Sequence, residues 1–147
     1  MKNILVIGSG AREHAIVHTL SRSESVREIH AVPGNPGMLS LATAHPMPDI
    51  SPATILPLVE QHAIDLVVVG PEAPLVAGMA DILRSAGVAV FGPGRAGALL
   101  EGSKIHAKKF MDRWGVPTAP WEACRTLSEV EDALGRRSAP FIIKADG

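Results

Sequence analysis

Hydrophobic residues are concentrated in four short continuous runs, separated by longer segments in which apolar residues recur with helical spacing. The runs are rich in β-branched residues, which is typical of strands buried on both faces of a parallel sheet. Ser51 followed by Pro52 is a typical helix start, and Gly87 stands where a left-handed C-cap is expected. The alternation predicts an α/β fold with a doubly wound parallel sheet. The expected strands are residues 4–7, 29–32, 66–69 and 88–91, and the expected helices are 11–20, 52–62 and 75–85.

The pattern changes after residue 94. Residues 96–100 and 103–114 have helical spacing with Ser103 as an N-cap, and the glycine and prolines of 115–120 indicate a linker. Strands are expected at 121–124 and 141–144, and a helix at 128–134. Because one or two strands and a helix cannot enclose a core, we expect a truncated chain holding one complete domain and part of a second. The first would close at about residue 95, with a linker helix extending it to cover residues 1–104, and the second would occupy 105–147.

Composition narrows the possible partners. The net charge of −1 and the aromatic content of 3% provide neither a basic field nor a stacking surface for nucleic acid. The single cysteine, Cys124, excludes an internal disulfide framework and fits a reducing compartment. No apolar run approaches the roughly 18–20 residues that a membrane-spanning helix needs. We therefore expect a cytoplasmic protein without a nucleic-acid or membrane partner.

Every predicted strand ends in a loop that contains glycine or proline. Because the carboxyl ends of parallel strands meet at one edge of the sheet, these loops should lie together, where α/β sheets bind their ligands. The sequence therefore predicts a binding edge built from residues 8–10, 33–35, 70–72 and 92–94.

The first of these loops resembles a dinucleotide fingerprint but departs from it. Gly8 and Gly10 would let a ligand approach the backbone, yet Glu13 stands where the fingerprint needs a small residue. Residues 32–35 also lack the acid that would bind the ribose. Arg12 is suited to bidentate contact with a terminal phosphate. The loop favours a phosphomonoester over a pyrophosphate, and a purely structural turn is the alternative.

The polar residues that follow Arg12 have more than one interpretation. A phosphate would repel Glu13, so Glu13 is expected to reach sugar hydroxyls or an amine, or to pair with Arg12. His14 and His18 lie one turn apart, but no third metal ligand is evident, and we predict no metal ligand in this chain. The other histidines are scattered, and surface or packing roles are expected for His30, His45, His62 and His106.

Three further charged residues, Glu72, Lys104 and Lys144, are candidates for binding. Glu72 lies between Pro71 and Pro74, which would hold its carboxylate in place, although it could equally be an ordinary acid at a helix N-terminus. Lys144 ends an apolar run and could reach nucleotide phosphates, although most such lysines are simply solvated.

Several motifs together resemble those of phosphoribosylamine–glycine ligases of purine biosynthesis. They are GSGAREHA at 8–15, PGNPG at 33–37, DLVVVGPEAPLV at 65–76, LEGSK at 100–104, PTA at 117–119 and IKADG at 143–147. The resemblance extends over the whole chain. It implies a pre-ATP-grasp N-terminal domain at 1–104 and the beginning of an ATP-grasp domain at 105–147.

The resemblance also implies an activity and a set of site residues. These ligases join 5-phosphoribosylamine and glycine with ATP, through an acyl phosphate, in the presence of Mg²⁺ or Mn²⁺. Lys104 and Lys144 match lysines near the nucleotide phosphates. The family's glycine-rich loop and metal-binding acids come later in its sequence, so we expect this chain alone to be inactive and assign no catalytic residue. The residues expected to face the phosphoribosyl substrate are Gly8, Gly10, Arg12, Glu13, His14, Gly34, Asn35, Pro71 and Glu72.

Two other classes of protein are consistent with parts of the pattern. One is a stand-alone phosphosugar- or dinucleotide-binding α/β domain without catalytic activity. The other is a different ATP-grasp ligase with the same domain order, such as a biotin carboxylase. The Arg-Glu-His and Gly-Pro-Glu-Ala-Pro segments argue against the second class.

Overall fold

The computed structural model of the chain describes residues 1–146, in which strands and helices alternate. None of the helices in this part of the chain is long and apolar enough to cross a membrane. A 3-10 helical turn, Pro36–Met38, lies between the second and third strands. In chain order the elements are β1 (Lys2–Gly8), α1 (Ala11–Leu20), β2 (Val26–Pro33), β3 (Thr43–Ala44), α2 (Pro52–Gln61), β4 (Leu66–Val69), α3 (Glu72–Val76), α4 (Met79–Ser85), β5 (Val90–Phe91), α5 (Arg95–Gly102), α6 (Lys104–Trp114) and α7 (Leu127–Gly135).

The five strands form one sheet in the order β3-β2-β1-β4-β5, and every neighbouring pair is parallel. β1 lies in the centre, where Ile4 pairs with Ile29 on one side and with Leu66 on the other. The order reverses direction at β1, which is the arrangement of a doubly wound sheet. The predicted fold class is confirmed.

The continuous apolar runs arise because both faces of the sheet are covered. Along β1, Leu5 and Ile7 belong to one core cluster, whereas Ile4 and Val6 belong to the other. The first cluster includes residues of α2, α3 and α4, and the second includes Val17 of α1. Each fully buried side chain of this size contributes about 1.5–3 kcal/mol by removal from water.

Two of the predicted helix boundaries are formed by the expected chemistry. Ser51 caps α2, and its backbone N–H donates to Thr54 Oγ1 at 3.1 Å. Pro52 occupies the first turn, where a missing N–H is harmless. Gly87 follows α4 with a φ of +83°, as a left-handed helix end requires.

The segment predicted as one helix over 75–85 is two helices. Glu72 begins α3, and the helical path breaks at Gly78, whose φ of +94° is accessible at low cost only to glycine. The strand predicted at 88–91 is also shorter, because the Val88 N–H donates to the Leu83 carbonyl at 3.0 Å and closes the end of α4.

Two short elements escaped the sequence prediction. The 3-10 turn buries Met38 completely, and β3 pairs its two residues with His30 and Ala31 of β2. A strand of two residues is too short to show alternation, so its pattern carries no signal.

The chain divides into two compact units, Met1–Ala98 and Leu99–Gly147. The first holds the sheet. Within the second, the Ser103 hydroxyl accepts a hydrogen bond from the His106 N–H at 3.1 Å and caps α6 as predicted. Thr126 and Glu129 form a capping box at the start of α7.

Residues 121–124 and 141–144, predicted as strands, have no strand structure. A strand exists only when its backbone groups pair with a neighbour. Within residues 99–146 no such neighbour is present, and the apolar Ile142 and Ile143 are largely exposed. Both strand predictions were wrong for this chain.

Candidate functional site

The loops that follow β1 and β2 meet at the carboxyl edge of the sheet. The Asn35 side-chain amide donates to the Ser9 carbonyl at 2.9 Å. A Cβ atom added at Gly37 would lie 2.9 Å from His14 Nδ1, so the imidazole lies directly over this glycine. Gly34 has a φ of +74°, and a Cβ there would lie 3.2 Å from the Ala31 Cβ. The two loops are therefore joined by contacts that a larger residue at Gly37 would disrupt.

The loop after β4 meets the same edge through Arg12. The Arg12 Nη2 atom lies 3.8 Å from Glu72 Oε2. Glu72 is the first residue of α3, and Pro71 is its N-cap in extended conformation. Both interpretations of Glu72 are therefore compatible with its position, since it is a helix-terminal acid that also faces the opposite loop. We call the edge formed by residues 8–14, 34–37 and 70–72 the rim.

Glu13 lies beneath the rim rather than on its surface. Glu13 is only 4% exposed, and its Oε2 atom accepts a hydrogen bond from the Gly10 N–H at 2.7 Å. The other oxygen lies 3.3 Å from Arg12 Nε, which matches the expected pairing with Arg12. Cβ atoms added at Gly8 and Gly70 would lie only 2.7 Å and 2.6 Å from the Glu13 carboxyl carbon. Glycine is required at both positions because the carboxyl group of Glu13 fills the space between them.

The charge at the rim is concentrated on three side chains. Arg12 is 56% exposed and lies between Glu13, which is 5% exposed, and Glu72, which is 48% exposed. The Arg12–Glu72 contact is exposed, and an exposed ion pair contributes only about 0–1 kcal/mol. The contact with the buried Glu13 carboxylate holds one side of the guanidinium group.

The two candidate lysines lie in the second unit. Lys104 is the exposed first residue of α6, and Lys144 is exposed two residues before Asp146. The Asp146 carboxylate accepts the Ile105 N–H at 3.0 Å and the Ser103 hydroxyl at 3.1 Å. The hydrogen bond from Ile105, followed by that from Ser103, lowers the pKa of Asp146. The segment that carries Lys144 is thus tied to the helix start that carries Lys104, through an aspartate that the sequence analysis did not select.

Three histidines expected to be scattered are clustered instead. The rings of His30, His45 and His62 have centroids 4.5–5.2 Å apart, and one nitrogen from each lies within 4.8 Å of the others. Burial, and then the neighbouring rings, lower the pKa values of His30 and His45. We call these three residues the histidine cluster. The alternation along β2 could have placed His30 on the face of the sheet that α2 covers. The position of His45 could not be predicted, because it depends on β3, which the sequence did not reveal.

The other histidines lie elsewhere. His106 is exposed on α6, and His18 is exposed on α1. Within residues 1–146, the histidine cluster is the one group of three or more histidine, cysteine, aspartate or glutamate side chains close enough to share an ion.

Comparison with known proteins adds a family to this geometry. The family described as "Phosphoribosylglycinamide synthetase, N domain" matches residues 2–101. A phosphoribosylamine–glycine ligase of Leifsonia xyli is 49% identical over 98% of this chain and 35% of its own length. The crystal structure of a phosphoribosylamine–glycine ligase from Thermotoga maritima matches 99% of this chain and 33% of its own, with 33% identity and a TM-score of 0.76.

The fold is shared more widely than the family. The biotin carboxylase domain of a single-chain bacterial carboxylase matches 92% of this chain and 34% of its own at 19% identity, with a TM-score of 0.66. Identity at that level shows the fold alone. The chain spans about a third of the length of the curated relatives it matches. The match over residues 2–101 shows that the chain belongs to the phosphoribosylglycinamide synthetase N-domain family.

Proposed function

We propose that this chain is the N-terminal portion of an ATP-dependent ligase that joins 5-phosphoribosylamine and glycine to give glycinamide ribonucleotide. The observation that carries the proposal is the 49% identity with a phosphoribosylamine–glycine ligase over 98% of the chain. In this proposal, residues 1–104 form the N-terminal domain with a linker helix, and residues 105–147 begin the ATP-grasp domain.

The rim is the proposed site for the phosphoribosyl group. Arg12 would bind the 5′-phosphate, and Glu72 would move aside because its contact with Arg12 is long and exposed. Glu13 would hold Arg12 in place from below. Asn35 contacts Ser9, and His14 packs against Gly37, so both side chains lie where the loops after β1 and β2 meet. From there they would reach the sugar hydroxyls. The backbone approach at Gly8, Gly10 and Gly34 and the position of Pro71 would shape the pocket around them.

A dinucleotide is a poorer ligand for this geometry. In dinucleotide-binding folds the pyrophosphate contacts the backbone at the start of the first helix. Here the Gly10 N–H already donates to the buried Glu13 carboxylate. A pyrophosphate would have to displace that buried contact, whereas a terminal phosphate could be held by the Arg12 side chain instead. Glycinamide ribonucleotide should therefore bind better than NAD⁺.

ATP is the proposed co-substrate of the whole ligase, with Lys104 and Lys144 near its phosphates. In the whole ligase, Mg²⁺ or Mn²⁺ would supply neutralisation of charge on the transferred phosphoryl group. Such ions prefer carboxylate and other oxygen ligands. Residues 1–146 contain no cluster of three carboxylates close enough to share an ion, so the residues present do not fit this metal.

Binding to the 147-residue chain tests the proposed rim. Glycinamide ribonucleotide and NAD⁺ are titrated separately by calorimetry, and the titrations are repeated with Arg12→Ala. The matched control is Arg22→Ala, since Arg22 is an exposed arginine just beyond α1. Loss of a charge-assisted phosphate contact of roughly 1.5–3 kcal/mol should weaken ribonucleotide binding about tenfold or more.

The outcome separates the alternatives. Weaker ribonucleotide binding in Arg12→Ala, with unchanged binding in Arg22→Ala, supports the rim as the phosphosugar site. Tighter binding of NAD⁺ than of the ribonucleotide would instead support a dinucleotide-binding domain. Equal affinities in the two arginine variants would show that Arg12 does not hold the phosphate.

A further inference from the structure

We propose that the histidine cluster of the first unit is a binding site for a divalent transition-metal ion of the zinc class, ligated by His30, His45 and His62. Imidazole nitrogens are preferred ligands of Zn²⁺, and three of them with one open position form a common zinc coordination set. The proposal is independent of the ligase function.

The geometry is close to what such an ion needs. Zn–N bonds of about 2.0–2.1 Å place two ligand nitrogens of a tetrahedral ion roughly 3.3 Å apart. His30 Nδ1 and His45 Nε2 are 2.9 Å apart, and a nitrogen of each of the three rings lies within 4.8 Å of the others. Small side-chain rotations therefore bring three nitrogens to bonding distance.

The backbone already fixes the segments that carry the ligands. His30 lies within β2, and the His45 N–H donates to the Ala31 carbonyl at 2.8 Å. The His62 carbonyl, at the end of α2, accepts the Asn3 side-chain amide at 2.9 Å. Because these bonds anchor the main chain, only side chains need to move when an ion binds.

His30 carries a buried nitrogen that the fold leaves without a hydrogen bond. His30 is 3% exposed, and its Nε2 atom has no hydrogen-bond partner within residues 1–146. Glu28 Oε2 lies 3.5 Å from that atom, too far for a well-formed hydrogen bond. If His30 binds the ion through Nδ1, its Nε2 carries the proton and faces a carboxylate. That pairing orients many metal-bound histidines.

The site lies away from the rim. His62 is bonded to Asn3 at the start of β1, whereas the rim begins at Gly8 at the end of the same strand. His30, in turn, pairs with Leu5 of β1, three residues before Gly8, so at about 3.3 Å per residue the histidine cluster comes within roughly 10 Å of the rim along the strand. His45 and His62 are half-buried, so an ion can enter from solvent. An ion there would link β2, the segment after β3 and the end of α2, and would stabilise the first unit.

The experiment is a titration of the chelator-treated 147-residue chain with Zn²⁺, with Co²⁺ as a spectroscopic probe of coordination geometry. We expect one ion per chain, a tetrahedral Co²⁺ spectrum, and a rise in Tm of roughly 10 °C at a free metal concentration of about 100 Kd. The ring signals of the histidine cluster should shift together in NMR spectra of the unmodified chain.

Variants assign the ligands. Loss of a residue that hydrogen-bonds to a metal ligand costs roughly 10- to 100-fold in metal affinity. Loss of a ligand itself, in His45→Gln or His62→Gln at half-buried positions, should weaken Zn²⁺ binding by at least that much. Glu28→Gln should weaken it less. The controls His106→Gln and His18→Gln should bind as the unmodified chain does. Absence of Zn²⁺ binding would overturn the proposal, and so would unchanged affinity in His45→Gln and His62→Gln or a loss in His18→Gln.

Discussion

Gly70 is the position where one added methyl group most directly tests the packing beneath the rim. Its N–H donates to the Ile7 carbonyl at 3.0 Å, which an alanine would preserve. Its backbone is not in the left-handed region, so alanine causes no conformational strain of its own. A Cβ there would nevertheless lie 2.6 Å from the Glu13 carboxyl carbon. The Gly70→Ala substitution therefore acts through Glu13.

The loss of stability in Gly70→Ala depends on whether Glu13 moves away from the added methyl group. If Glu13 stays, overpacking costs about 1–3 kcal/mol. If Glu13 moves, it loses the Gly10 N–H contact at 2.7 Å, a bond to a charged group that contributes roughly 1.5–3 kcal/mol. Either route destabilises the first unit by about 1–3 kcal/mol. For a domain of this size each kcal/mol lowers Tm by roughly 4–8 °C.

The assay is a double-mutant cycle measured by urea denaturation. Glu13→Ala is destabilising by itself because the Gly10 N–H loses its acceptor. It also removes the carboxyl atoms with which the methyl group added at position 70 would collide. In that background Gly70→Ala should cost almost nothing, which gives a coupling free energy of about 1–3 kcal/mol between the two positions. The matched control is Gly135→Ala, because a Cβ at Gly135 has no neighbour within 4 Å.

Two results would show that Glu13 is not the obstacle to a side chain at position 70. One is a Gly70→Ala variant as stable as the unmodified chain, which would mean that Glu13 does not fill the space between the loops. The other is the same cost of Gly70→Ala with and without Glu13, which would place the strain elsewhere.

Three further predictions concern the core, the amino-terminal end of the neighbouring strands β1 and β4, and catalysis. Leu5→Ala should destabilise the chain by about 2–5 kcal/mol in urea denaturation, because Leu5 is fully buried. The control Leu39→Ala should have little effect, because Leu39 is 63% exposed. Equal losses of stability in the two variants would contradict the core assignment. The hydrogen bond from Lys2, and to a smaller extent that from the Asn3 N–H, lowers the pKa of Asp65 below 3.8. The ionised carboxylate therefore stabilises the fold above pH 3.8, and this stabilisation is lost as the pH falls through the lowered pKa. Asp65→Asn should therefore flatten the acid limb of the stability curve measured by circular dichroism, and an unchanged limb would exclude this contribution. The chain alone, mixed with ATP, Mg²⁺, glycine and phosphoribosylamine, should release no glycine-dependent ADP above a no-enzyme control, since it spans about a third of its relatives; release would show that the catalytic groups lie within these residues.

The sheet was largely predictable because its strands are apolar on both faces. The apolar runs of β1 and β4 are continuous and almost wholly buried, so the spacing of their apolar residues and their β-branched composition both predict a strand. The errors occurred where a local pattern depends on a distant partner or on a single backbone angle. Gly78 interrupts a helical pattern whose hydrophobic spacing continues past it, and residues 141–144 have strand composition without a strand to pair with.

The rim shows the same division. Loop convergence follows from strand order, so the contacts of Asn35 with Ser9 and of Arg12 with Glu72 could be expected from the sequence. The burial of Glu13 could not, because it depends on Gly70, a residue far along the chain. The histidine cluster likewise combines a strand, the residue after a two-residue strand and a helix end, which no sequence spacing reveals.

Whether this chain performs the role of a phosphoribosylamine–glycine ligase N-terminal portion can be measured in a chimera. This chain replaces the matching segment of the Leifsonia xyli ligase, to which it is 49% identical over 98% of its length. We expect ADP release that depends on both glycine and phosphoribosylamine, with kcat/KM within about tenfold of the relative, equivalent to roughly 1.4 kcal/mol. Arg12→Ala in the chimera should lower kcat/KM for phosphoribosylamine. A folded chimera that binds ATP but releases no glycine-dependent ADP would show that this chain does not serve as the N-terminal portion of the ligase.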